Sequence, residues 1–157
     1  MFGKRISEYL RFQGVVLALL AAVGLARLGL SLAGVSQNVV WWLSMNLVGW
    51  TGAIYYGIAA RKAGFDRYKQ LLPLAFFQTV LFHAIAVAGI LLTIAGLPNI
   101  YAAPEFSGPA AQNQWLHAGA HLTIGMVAAT LIWWGVASIA MLVTRKLAGR
   151  PTAAASV

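Results

Sequence analysis

Four long apolar runs divide the chain, at residues 14–35, 39–60, 71–97 and 115–143, and short polar connectors separate them. Each run holds the roughly 20 residues an α-helix needs to cross about 30 Å of hydrocarbon. The pattern predicts an all-α membrane protein, a four-transmembrane-helix bundle forming one domain over residues 1–148, with a flexible tail over 149–157. The opening segment "FGKRISEYLRFQ" mixes Phe2, Ile6, Tyr9, Leu10 and Phe12 with charges. It predicts an N-terminal amphipathic helix lying on the membrane surface before the chain turns inward. The first run exceeds the 7–15 apolar residues of a cleaved signal and contains Arg27, so a retained helix is expected.

Composition supports the membrane assignment. Hydrophobic residues make up 61% and charged residues 9% of the chain, against about 45–50% and about 25% in soluble domains. The formal charge of +8 is split into short clusters between apolar spans, unlike the single basic face of a nucleic-acid-binding protein. Anionic lipid headgroups are the expected partner. Cysteine is absent, which removes disulfides and thiolate metal ligands.

Charge also predicts orientation. Lys4, Arg5 and Arg11 precede the first run, Arg61, Lys62, Arg67 and Lys69 fill the middle connector, and Arg145, Lys146 and Arg150 follow the last run. With alternating crossings all of these fall on one side, and the positive-inside bias puts both termini in the cytoplasm. Trp41, Trp42, Tyr101 and Trp115 then mark outer ends, and Tyr9, Phe12, Tyr55, Tyr56 and Tyr68 inner ones. Trp133 and Trp134 fall deep in the fourth run and are expected to be packing or ligand-facing rings. Small residues at helical spacing, Gly49, Ala53 and Gly57 in one run and Gly125 with Ala128 or Ala129 in another, predict close helix contacts.

Polar residues within the runs are the candidate chemistry, because an ionisable side chain in hydrocarbon needs a partner or a function. At ~1.5 Å per residue, His117 lies about 5 Å from the outer end, His121 about 10 Å, Asn46 about 12 Å, Arg27 about 15 Å and His83 about 21 Å. Facing inward, they would form a path from the outer surface to just beyond the midplane. Ser31, Gln78, Thr79 and Thr123 add neutral groups. Arg27 has no carboxylate within the runs and stays protonated. It must snorkel, which is strained at ~15 Å from either surface, hydrogen-bond to carbonyls, Asn46 or Ser31, pair with Glu105 of the outer connector, or bind an anion.

His117 and His121, four residues apart in "HAGAHLTIG", share one helical face and could hold a metal ion. The third ligand would have to be His83 or Glu105. His83 and His121 are also candidate axial ligands for a b-type haem, although about 10 Å of estimated depth separates them. The long outer connector, with Pro98, Pro104, Gly108 and Pro109, is expected either to cap the polar mouth as a lid or short re-entrant element or to form a solvated surface loop. No nucleophile, phosphate-loop or metalloprotease motif occurs, and no paired acids for general acid and base work.

Three readings follow from these residues. The first is a protein that binds or translocates a small ligand, an anion among the candidates, or protons, through Arg27, Asn46, His83, His117, His121 and Glu105. The second is a redox subunit binding b-type haem or a quinone. The third is a structural or accessory subunit of a membrane complex, in which the polar groups stitch helices together. Four crossings enclose little space, so a homo-oligomer or a membrane-complex partner is compatible with each.

Overall fold

The computed structural model describes residues 1–102 and 113–148, and every regular element among them is helical. In chain order they are α1 (Ile6–Leu32), the single turn α2 (Gln37–Val40), α3 (Met45–Ala59), α4 (Leu71–Ile94) and α5 (Gln114–Ala148). A π-helical turn at His121–Gly125 lies within α5. Three helices are long and apolar enough to cross a membrane: α1, α4 with the turn before it, and α5.

The second apolar run departs from a single helix over 39–60. Its α-helix has 15 residues, about 22 Å at ~1.5 Å per residue, and Trp41 to Ser44 are not helical. Ser44 explains the break, since its backbone is extended and its hydroxyl accepts from the Leu47 amide at 3.2 Å. An N-cap of this kind starts a helix and leaves the preceding residues free to turn. A 3-10 turn at Ala60–Ala63 prolongs α3 at its far end.

The surface helix expected at the N-terminus is also corrected. Residues 6–32 form one uninterrupted helix, and Tyr9, Gln13, Val16, Leu20, Gly24 and Leu28 line its buried side. Their spacing of three and four residues is a continuous helical stripe, so the opening segment belongs to the bundle. The Tyr9 ring packs on Phe65 at 5.1 Å.

α4 packs against α1 and α5, and α3 lies against α5, α1 and α4. Ties between segments distant in sequence define two ends. At the basic end Gln70 Nε2 donates to the Phe2 carbonyl at 3.0 Å, Tyr9 donates to the Met1 carbonyl at 3.0 Å, and Arg145 donates to the Asp66 carbonyl. At the neutral end the Ile100 amide donates to Ser31 Oγ at 2.9 Å. The basic end is closed by a core of Tyr9, Tyr56, Phe65, Leu71, Leu74 and Met141, none more than 2% exposed.

The small residues of α3 are where α5 comes closest. Trp133 covers Gly49, Ala53 clusters with Ala75 and Trp133, and Gly57 abuts the Ala137 carbonyl and the Ala140 side chain. Trp133 is thus a packing ring, and Trp134 anchors the helix by donating to the Tyr68 carbonyl at 2.9 Å. On α5 the close approach runs through Ala137 and Ala140; Ala128 is exposed, and Gly125 faces His83. Gly57→Val should cost about 1–3 kcal/mol by overpacking and lower the melting temperature in detergent by roughly 2–10 °C. Gly135→Ala, where a Cβ meets nothing within 4 Å, should leave the melting temperature unchanged.

Candidate functional site

Three imidazoles converge between α4 and α5. His83 Nδ1 and His121 Nδ1 lie 2.7 Å apart, a hydrogen bond in which one ring donates and the other accepts. The His117 ring centroid is 5.0 Å from that of His121. The separation expected between His83 and His121 does not exist. α4 ends at Ile94 rather than Leu97 and α5 begins at Gln114, which narrows the backbone offset to about 6 Å, and the side chains span the rest. Gly125 makes room for His83, since a Cβ there would lie 3.2 Å from His83 Cε1.

This spacing bears on the metal and haem candidates. A metal bound from opposite sides at about 2.0–2.1 Å needs its two nitrogens about 4 Å apart. At 2.7 Å the pair is placed as hydrogen-bond partners and does not fit as trans ligands of a haem iron. Among the described residues no group of three or more His, Cys, Asp or Glu is arranged to hold a metal ion. Glu105 lies outside the described residues.

A cavity of about 520 Å³ opens beside the histidines, and Arg27, Trp41, Asn46, Tyr101, His117 and His121 are among its walls. Arg27 comes from α1 and is half-buried. Its guanidinium carbon lies 5.5 Å from the Tyr101 ring centroid and 5.8 Å from that of Trp41, within cation–π range. Nη1 reaches the Leu43 carbonyl at a long 3.5 Å. Nε is buried with no hydrogen-bond partner among the described residues. Asn46 stands at the exposed rim, and Ser31, an expected partner of Arg27, is taken by the Ile100 amide. Thr123 donates to its own helix at the Gly119 carbonyl, 2.7 Å away.

The wall that closes the cavity from above was not among the sequence candidates. Asn99 is 6% exposed, and its Nδ2 donates to the Gly89 carbonyl at 2.7 Å, Thr93 Oγ1 at 3.0 Å and the Leu97 carbonyl at 3.1 Å. Its Oδ1 accepts from the Tyr101 amide at 3.1 Å. These bonds turn the chain back into the bundle, where Tyr101 donates to the Gly24 carbonyl at 3.0 Å. Gly89 permits the insertion, because a Cβ there would lie 2.5 Å from the Tyr101 ring. Burial pushes the Tyr101 hydroxyl up to about 12, so it remains a donor at neutral pH. Residues 99–102 therefore fold back against the bundle, and most of the connector on which a lid was expected, residues 103–112, lies outside the described residues.

Comparison with family models, with curated proteins and with solved structures returns no match.

Asn99→Ala should release residues 99–102 from the bundle. Alanine can replace neither the hydrogen bonds that Nδ2 donates nor the one that Oδ1 accepts. Hydrogen–deuterium exchange at the Ile100 and Tyr101 amides should therefore rise by roughly 10–100-fold, with exchange at the basic end unchanged.

Proposed function

We propose that this is an integral membrane protein crossing the bilayer four times, with both termini in the cytoplasm, and that its cavity binds a small organic anion from the outer side. The orientation is supported by charge. Every Lys and Arg among the described residues except Arg27 belongs to segments that meet at the basic end, and the connectors at the neutral end carry none. α3 is short for a crossing, but its 15 residues are followed by a turn of 4 more and preceded by Trp41 and Trp42, interfacial residues that extend its reach.

The observation that carries the ligand assignment is Arg27. A permanent cation lies in the upper half of the bundle, pairs with no carboxylate among the described residues, and borders a cavity it shares with Asn46, His117 and His121. In hydrocarbon an arginine costs about 2.5–3.5 kcal/mol even on insertion scales, and an anion in the cavity offsets that cost. The aromatic walls, Trp41, Tyr101 and Phe82 among them, suit a ligand with a flat apolar body behind its charged group. The imidazoles donate hydrogen bonds to it or exchange protons with it.

Two experiments test this. The chain has no cysteine, so single substitutions report topology directly. In sealed right-side-out vesicles, Ser36→Cys should react with a membrane-impermeant maleimide, and Lys62→Cys should react only after permeabilisation; the reverse pattern overturns the orientation. For binding, benzoate titrated against the purified protein should change tryptophan fluorescence saturably, because Trp41 and Trp42 line the cavity. Arg27→Leu should weaken benzoate by roughly 10–100-fold, the worth of a charged hydrogen bond, with Arg27→Lys in between. Equal affinity of wild type and Arg27→Leu would return Arg27 to a structural role.

A further inference from the structure

Below the histidine trio the bundle interior stays polar for three more helical turns, in residues the anion site does not use. Thr79 lies one turn from His83 on the same face of α4, is fully buried, and its hydroxyl has no partner among the described residues. Next to it in the chain, Gln78 sends Nε2 across to the Gly49 carbonyl on α3 at 3.0 Å. Gln78 Oε1 rests over Gly52, where a Cβ would lie 2.6 Å away, and has no donor among the described residues.

One turn further along α3, Tyr56 points its hydroxyl at Gln13 Oε1 on α1, 3.5 Å away. Gln13 Nε2 is buried with no partner among the described residues, and both side chains are fully buried. One turn before Gln13, Tyr9 donates to the Met1 carbonyl at the basic end. Three helices thus contribute polar groups at successive levels, and three of those groups have open hydrogen-bonding valences pointing into the same interior.

Apolar packing would favour leucine and valine at these positions, and buried polar groups of native proteins are satisfied by protein or by bound water. A rise of about one helical turn, ~5.4 Å, separates His83 from Thr79 and Gln13 from Tyr9, a step between levels that a bound water can bridge. We propose that waters held by Thr79, Gln78, Gln13 and Tyr56 continue the histidine trio into a proton-conducting column that runs through the bundle to Tyr9 at the basic end. A proton enters from the cavity at His117, passes through His121 to His83, each ring accepting at one nitrogen and releasing from the other, and travels onward along the waters. Each hop takes up one proton and gives up one, so charge is conserved, and each imidazole ends in its other tautomer and turns back before the next passage.

The column shares His117 and His121 with the anion cavity and continues through residues the cavity does not use, and variants of those residues separate the two. The full chain is reconstituted into liposomes loaded with K⁺ and a pH-sensitive dye, and valinomycin imposes an interior-negative potential. Wild type should acidify the lumen several-fold faster than protein-free vesicles, and Gln13→Leu, Gln78→Leu and Thr79→Val should each bring the rate back close to that of protein-free vesicles. Thr79→Val is the decisive variant, since it keeps shape while removing an unpartnered hydroxyl. It should raise or preserve the melting temperature while flux falls, a combination a purely structural threonine does not give. Thr79→Val and Gln13→Leu should bind benzoate as wild type does. Flux no faster than in protein-free vesicles, or flux that Thr79→Val leaves unchanged, overturns the column even where benzoate binds; benzoate failing to bind while flux persists overturns only the anion site.

Discussion

A guanidinium held between two aromatic rings, without a described carboxylate, is the constraint around which the neutral end of the bundle is built. Each cation–π contact supplies about 0.5–2 kcal/mol depending on desolvation, so Trp41 and Tyr101 together offset much of the cost of Arg27 in hydrocarbon. Among the described residues they leave much of its hydrogen-bonding capacity unspent, with one long bond to Leu43 and no partner for Nε. A carboxylate at this depth would have neutralised the arginine and closed the site. Rings stabilise the charge without neutralising it, which is the feature the proposed anion site rests on.

Holding those rings in place is the work of the short segments that interrupt the helices. Trp41 belongs to the turn before the Ser44 cap, and Tyr101 to the segment turned inward by Asn99. Neither turn was legible in the hydropathy of the chain. Both segments are apolar enough to read as helix or as interfacial belt, because "NVVWWLSM" and "GLPNIYAA" carry no charge. What decides them is local hydrogen bonding by a single polar side chain, Ser44 in one case and Asn99 in the other. The available signals were Ser44 as an N-cap before an apolar run and Pro98 followed by an asparagine just past a helix end.

By contrast, the apolar runs and the sorting of basic residues were legible, because they are set by composition over whole segments. Arg27, His117 and His121 line one cavity; helical spacing put only the two histidines on a common face, and their meeting with Arg27 rested on the expectation that polar groups face inward. Depth counting failed at His83 for a simple reason. It assumed that every helix begins and ends with its apolar run, and three residues of error in α4 moved His83 by ~4.5 Å. Gln13 and Tyr56 were passed over for a different reason: one was assigned to a surface helix and the other to an interfacial belt, and only the unbroken course of α1 turned both into the bundle.

The π-helical turn explains how α5 serves both faces of the structure. Sixteen positions separate His121 from Ala137, and at about 100° per residue a regular α-helix would set them about 160° apart, on opposite sides. A π turn takes up one extra residue, which rotates everything beyond it by roughly 100° and brings the two to within about 60°. α3 and α4 touch each other as well as α5, so they occupy adjacent sides of it, and the smaller angle is the one that fits. The segment up to His121 can then present imidazoles to α4 while Trp133 and Ala137 close on Gly49 and Gly57 of α3. The irregularity falls at His121–Gly125, between the part of α5 that carries the site and the part that holds the bundle together.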